Sequence, residues 1–358
     1  MTSQERSYPA ITQNLGQPSG AVVLAEHAAT GRILTPGGQW VELAEMVVPA
    51  ANLLRFRPPV AAFGDAGRAV FRQMRVAVVG VGGIGSLLVE YLARLGVGQL
   101  VLIDPDRVDP TNLPRLVAAR RLDAMPWLRR PASPGILRAL GKRLAARKTR
   151  IAARNARRAN PAAKVVRLDV NTADPRAASA LTQVDWIFLA ADTAVARHVV
   201  NAVVQQHLLP AIQVGVAIPV RLGGDVGDIH VAMRPILPGV RCLWCDHLID
   251  PTDPATETLP GSLRAQARYV ADVPAASVVT FNSIAAAEAA THFMQAVTDL
   301  HIEDQDHDTV IHEPRYRSRD REGSRPQAAC RWCSRSPGSA LADGDFRPLP
   351  SLTMPSDG

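Results

Sequence analysis

The stretch from Arg75 to Arg115 constrains this chain more than any other, because an apolar strand, a glycine turn, an apolar helix, a second strand and an acidic pair follow without interruption. Val76-Ala77-Val78-Val79 is rich in β-branched residues and leads into Gly80-Val81-Gly82-Gly83-Ile84-Gly85, which fits G-x-G-x-x-G with an extra glycine inside. The glycines permit a tight turn and close approach of backbone to phosphate, and a helix starting near Ile84 points its N-terminal amides at the anion. Asp104 ends the second strand, Leu100-Val101-Leu102-Ile103, at the distance from the glycines where a carboxylate accepts hydrogen bonds from a ribose. The segment reads as a nucleotide-binding βαβ unit.

With 358 residues, 47% of them hydrophobic and only 4% aromatic, the chain is long enough for a sizeable core of small and branched aliphatic side chains. No basic start is followed by an apolar run and a cleavage site, so a soluble, cytoplasmic protein with no membrane partner is expected. The net charge of +7 is unevenly placed: Arg115 to Arg158 holds twelve Arg and two Lys against Asp123 alone. Such a stretch is a solvated basic face or an attraction for an acidic protein or RNA.

Along the chain, residues 1–54 carry short apolar segments, Ala21 to Leu24 and Trp40 to Val48, and form a small N-terminal appendage of no evident role. The nucleotide domain is expected over 55–240, with a Pro- and Gly-broken basic insertion at about 116–141 and a helix from Ile136 or Leu137 to Arg158, stopped at Asn160-Pro161. Strands are expected at Lys164–Leu168, Asp185–Leu189 and Ala211–Val214, with a helix at Val195–His207. Such alternation favours a doubly wound, mostly parallel α/β sheet. Beyond Gly215, Pro219–Leu222 and Val226–Met233 flank Gly223-Gly224 as a hairpin in an antiparallel extension. Ala275–Val297 reads as a long buried helix, Thr309–His312 as a final strand, and 336–358 as a flexible tail.

All four cysteines fall in two C-x-x-C pairs, Cys242/Cys245 and Cys330/Cys333. Two such pairs place four thiolates around one zinc ion in a closed, structural site that clamps the segment near Cys242 to the C-terminal part, 241–335. With these pairs in view, the chain resembles the family of ThiF, MoeB, HesA and the ubiquitin-activating enzymes over roughly residues 55–335. The resemblance rests on Gly80 to Ser86, Leu102-Ile103-Asp104-Pro105-Asp106-Arg107-Val108, Asn112-Leu113-Pro114-Arg115, Lys148, Asp192 and the paired cysteines.

The resemblance implies a Rossmann-like fold and ATP-dependent adenylation of the C-terminal carboxylate of a ubiquitin-like or sulfur-carrier protein ending in Gly-Gly, in a homodimer. It implies that Gly80, Gly82, Gly83, Ile84, Gly85, Asp104, Asp106 and Asn112 bind the nucleotide, with Asp104 at the ribose. Asn112, Arg115 and Lys148 would contact phosphates, Asp192 would hold magnesium, and Arg57 would reach the phosphates, in compact members from the partner subunit. Asp192 has a structural alternative as a helix N-cap. The chain departs from the pattern at Pro58-Pro59, at Pro114, at Thr193 and in roughly twenty extra residues before Lys148, which leave Lys142 as a second candidate. Zinc would occupy every thiol, so no cysteine remains for a covalent thioester, and a separate protein would accept the activated carboxylate. Three alternatives stay open: adenylation of a tRNA-borne carboxylate, as in threonylcarbamoyladenosine dehydratase; a nicotinamide-dependent oxidoreductase; and a nucleotide-binding scaffold without catalysis.

Overall fold

The structure is a computed structural model and describes residues 32–34, 40–42, 65–219, 225–249, 277–298, 300 and 307–350. Strands β1 (Arg32–Leu34) and β2 (Trp40–Glu42) form an antiparallel pair of their own. The main body then runs α1 (Asp65–Gln73), β3 (Arg75–Val79), α2 (Gly83–Leu95), β4 (Gln99–Ile103), α3 (Arg121–Ala124), α4 (Gly135–Leu144), α5 (Lys148–Ala159) and β5 (Lys164–Leu168). It continues through α6 (Pro175–Leu181), β6 (Trp186–Leu189), α7 (Ala194–His207), β7 (Ala211–Ala217), β8 (His230–Ile236), α8 (Val279–Val297), β9 (Thr309–Glu313) and β10 (Ser318–Glu322).

Eight strands form one sheet in the order β10-β9-β8-β7-β6-β3-β4-β5. The pairings from β5 to β7 are parallel and those from β7 to β10 antiparallel. This is the doubly wound α/β sheet with an antiparallel extension that the alternation of elements demands. Successive side chains of a strand point to opposite faces, so Val76 and Val78 enter one core with α2, α5 and α8, while Ala77 and Val79 enter a second core with α6 and α7. The first core is stiffened by Phe293 of α8, whose ring packs edge-on against Trp186 and Phe188 at centroid distances of 5.2 and 5.5 Å. Strand order reverses between β3 and β6, and the crevice outside their carboxyl ends is where ligands of such sheets bind.

Several expectations need correction. The helix expected from residue 136 or 137 to Arg158 is two helices, because residues 145–147 run extended to pair with 106–108. Val108 N–H donates to Ala146 O at 2.8 Å, Lys148 N–H donates to Asp106 O at 3.0 Å, and Arg107 bridges Arg147. The antiparallel hairpin is made by β7 and β8, paired from Ala211–Ile236 to Ala217–His230, so the first arm is the strand expected to end at Val214. Residues 220–224, including the expected glycine turn, lie outside the described residues. The C-terminal part expected as a tail is packed through residue 349: Ala340 is fully buried, and Ala342 N–H donates to Gln205 O of α7 at 2.9 Å. Among the described residues no helix is long and apolar enough to cross a membrane.

Candidate functional site

Gly80 turns the chain out of β3 with φ +83°, and a Cβ there would lie 2.6 Å from Ala191 N. The loop therefore lies directly on the chain leaving β6. A Cβ on Gly85 would lie 1.9 Å from Gly80 O, so the first turn of α2 closes against the loop backbone. Gly82 caps α2 without a side-chain hydrogen bond, no acid lies in the first turn, and a Cβ on Gly82 would meet nothing within 4 Å. No side chain caps the start of α2, which carries the positive end of the helix dipole.

Asp104 braces this loop. Its Oδ2 accepts from Val81 N–H at 2.7 Å, its Oδ1 from Asp106 N–H at 2.8 Å, and the residue is 4% exposed. Burial pushes its carboxyl above the ordinary value, opposed by the charge of Lys148 and by the two amides. The open carboxylate of the acidic pair is Asp106, 60% exposed, with Lys148 Nζ 2.6 Å from its Oδ2. Lys148 is held there because α5 begins at this residue, its amide already bonded to Asp106 O. Lys142 stands on exposed α4 instead.

Asn112 ends a short 3-10 turn at Pro110–Asn112 and its Oδ1 accepts from Asp109 N–H at 3.1 Å, so it organises the turn that launches Arg115. Ser86 of α2 fixes the far side, its Oγ donating to Gly83 O and accepting from Val117 N–H, each at 3.1 Å. Arg115 consequently lies along the loop, its Cδ 3.5 Å from where a Cβ on Gly83 would sit. Asp192 is exposed three residues beyond β6, across the crevice, with Ala190 N–H bonded to Val79 O at 2.8 Å. The N-cap of α7 is Thr193, whose Oγ1 accepts from Ala196 N–H, so the capping role open to Asp192 falls to its neighbour. Arg57 lies outside the described residues.

The four cysteine sulfurs lie within 4.8 Å of one another, with Cys245 and Cys333 at 3.5 Å. A tetrahedral site with Zn–S of about 2.3 Å needs sulfurs roughly 3.8 Å apart, so the donor set fits zinc. Amides of Gln327 and Trp332 donate to Cys245 and Cys330 sulfurs at 3.4 Å. Donation from Cys333 holds the Cys242 thiol below its ordinary value. Helix α7 connects this cluster to the crevice. Thr193 begins it beside Asp192, and further along Asn201 Oδ1 accepts from Leu243 N–H at 2.9 Å while Gln205 Nε2 donates to Arg241 O at 3.1 Å.

The model of the ThiF family matches residues 56–331. The chain belongs to the ThiF family. Among curated proteins it is 48% identical over 58 residues to the tRNA threonylcarbamoyladenosine dehydratase of Bacillus subtilis, covering 16% of this chain and 23% of that enzyme. It is 53% identical over 45 residues to ubiquitin-like modifier-activating enzyme 5 of Caenorhabditis elegans, covering 13% of this chain and 11% of that enzyme. The chain thus spans less than a quarter of the length of either relative. A crystal structure of E. coli MccB with ATP shares the fold at a TM-score of 0.53 and 18% identity, over 76% of this chain and 71% of MccB.

In this ThiF-family chain one residue at the crevice escaped the sequence reading. Asn282 of α8 is 1% exposed, its Nδ2 donates to Ser277 Oγ at 3.0 Å, and it lies 2.4 Å from where a Cβ on Gly83 would sit. The available signal was an amide in the first turn of an alanine-rich helix. Its amide explains the extra glycine, since any side chain at position 83 would strike it.

Proposed function

We propose that this chain uses ATP to adenylate the C-terminal carboxylate of a ubiquitin-like or sulfur-carrier protein ending in Gly-Gly, without an enzyme thioester. The reading is supported by the groups that follow the carboxyl ends of β3, β4 and β6. An uncapped helix start, Arg115 and Lys148 supply positive charge around one crevice, and Asp106 and Asp192 supply open carboxylates. In the reaction a carboxylate oxygen bonds to the α-phosphorus and the bond to the bridging oxygen breaks, giving an acyl-adenylate and pyrophosphate. Two anions must be held together while charge builds on phosphate oxygens, which the α2 amides, Arg115 and Lys148 are disposed to stabilise. Lys148 would exchange its bond to Asp106 for phosphate, freeing Asp106 for the nucleotide beside buried Asp104. Magnesium, when bound, would screen the leaving pyrophosphate, and Asp192 would hold it. Arg57 belongs to the same proposal as a further phosphate contact.

The test is ATP–pyrophosphate exchange by the purified chain against small carrier proteins ending in Gly-Gly, with zinc measured on the same sample. Exchange that depends on one carrier supports the reading. ATP binding without exchange for any carrier refutes it. A second reading, adenylation of a tRNA-borne carboxylate, is favoured by the dehydratase relative and the basic stretch. Under it, exchange follows tRNA and its affinity falls steeply with salt.

A further inference from the structure

No Asp or Glu occurs between Asp123 and Asp169, and α4 stands in the middle of that stretch. Of its residues only Gly141 is buried, against Leu128 and Arg129. Ile136, Leu137, Leu140 and Leu144 are 83%, 39%, 43% and 52% exposed. Isolated helices shorter than about 12–15 residues are marginal in water and take their stability from packing an apolar face. This helix offers such a face with nothing on it among the described residues. At about 100° per residue, the four aliphatic side chains fill an arc roughly 100° wide, the anchor pattern of a helix laid into a groove.

The position of α4 is as informative as its composition. The chain leaves the body at Asp123 and returns where Ala146 N–H donates to Asp123 O at 2.8 Å, immediately before Lys148. Arg129 pins the excursion to the nucleotide loop by donating to Val108 O at 3.0 Å and to the Asp109 carboxylate. Helix α4, packed on Arg129 through Gly141, thus stands on a segment tied to the chain between Asp106 and Asn112.

We propose that the apolar arc of α4 is the docking surface for the polypeptide whose carboxylate is activated, and that this polypeptide presents an apolar patch rimmed by Asp and Glu. The inference rests on the functional reading above and names where its substrate binds. A second copy of the chain would bring one acid-free basic stretch against another, a repulsion that opposes self-pairing. RNA would engage the arginines and leave four aliphatic side chains in water. A lipid surface would need the arc opposite the body, yet it is centred only about 90° from the Gly141 face, so the occupant fills an angle between helix and body.

The test compares wild type with the exposed double variants Ile136→Glu/Leu140→Glu and Arg138→Glu/Arg143→Glu, and with Leu140→Met. Exchange is measured against concentration of the carrier that drives it in wild type. Each double variant should raise the carrier KM at least tenfold while ATP KM, kcat at saturating carrier, zinc content and Tm stay within error, and Leu140→Met should match wild type. An unchanged carrier KM in both double variants overturns the docking site and leaves the functional reading standing. So does wild-type binding to vesicles of 70% phosphatidylcholine and 30% phosphatidylserine, or to bulk tRNA, that the variants lose while carrier KM holds. Wild type without carrier-dependent exchange overturns both.

Discussion

Gly82 and Gly85 sit three residues apart, and the surrounding atoms require opposite outcomes when each is changed to alanine. A methyl on Gly85 would begin 1.9 Å from Gly80 O and 2.9 Å from Gly80 C. Non-bonded heavy atoms rest at roughly 3.5 Å, so about 1.5 Å must be gained. Gly80 cannot yield it, because its N–H is held by Ile103 O at 2.8 Å and its other side lies on Ala191. The first turn of α2 must lift instead, carrying its amides and Ser86 away from the phosphate position. Overpacking of this kind costs about 1–3 kcal/mol of stability, and a misplacement near 1 Å costs roughly a hundredfold in function. A methyl on Gly82 meets no atom of the described residues, so Gly82→Ala should leave stability within about 0.5 kcal/mol of wild type. Among the described residues no atom accounts for this glycine; under the proposed function a phosphate passes over it, and Gly82→Ala should weaken ATP binding at least tenfold. Calorimetric titration with ATP and magnesium, paired with denaturant unfolding of the free proteins, reads both quantities. Full ATP affinity in Gly82→Ala refutes the passage of phosphate over this residue, and wild-type stability and affinity in Gly85→Ala refute the close approach of helix and loop.

Arg115→Ala and Asp192→Ala should each slow exchange by two orders of magnitude or more, since a lost transition-state contact costs about 3 kcal/mol, with zinc content and unfolding unchanged; a near-normal rate removes that residue from the mechanism. Glu288 of α8 is half-buried, and burial alone would raise its pKa, but hydrogen bonds and charge from Arg319 and His312 prevail and lower it. A depressed folded value means stabilisation that is full above about pH 4.5 and is lost as pH falls through the folded pKa. Unfolding measured from pH 6 to pH 3 should therefore show a loss that Glu288→Gln lacks. Zinc should bind at one ion per chain, and Cys330→Ser should lower Tm and expose the segment near Cys242 to proteolysis; unchanged Tm and zinc content would show that the cysteines are not its ligands.

What the sequence carried was local. Residues 76–103 are readable because β-branched runs, glycines and an amphipathic helix agree with one another, and β5 at Lys164–Leu168 falls where its composition puts it. The break between α4 and α5 is not readable from residues 137–158, whose alanines and arginines favour one helix. It is imposed by pairing of 145–147 with residues forty positions earlier. Strand β10 has the sequence Ser-Arg-Asp-Arg-Glu, with no apolar alternation, and exists because β9 offers it a partner. Helix α6 did carry a readable start, Asp174 accepting from Arg176 N–H ahead of Pro175, that went unused. At the site, the motif residues were legible as types, but the burial of Asp104, the pairing of Lys148 with Asp106 and the approach of Asn282 depend on contacts across the sheet.

The excursion that carries α4 closes where Ala146 N–H meets Asp123 O, and it is tied to the body again by Arg129 at Val108 O and by Ala145 O at Arg107. Between such ties length is nearly free, since doubling a closed loop costs only about 0.6 kcal/mol. Ala124 and Ala145 are buried in the body and Arg129 is bonded to it, so the part whose length is free runs from Arg130 to Leu144. A lineage, or an engineer, can replace it without moving Lys148, so the choice of partner and the chemistry of the crevice are able to diverge separately.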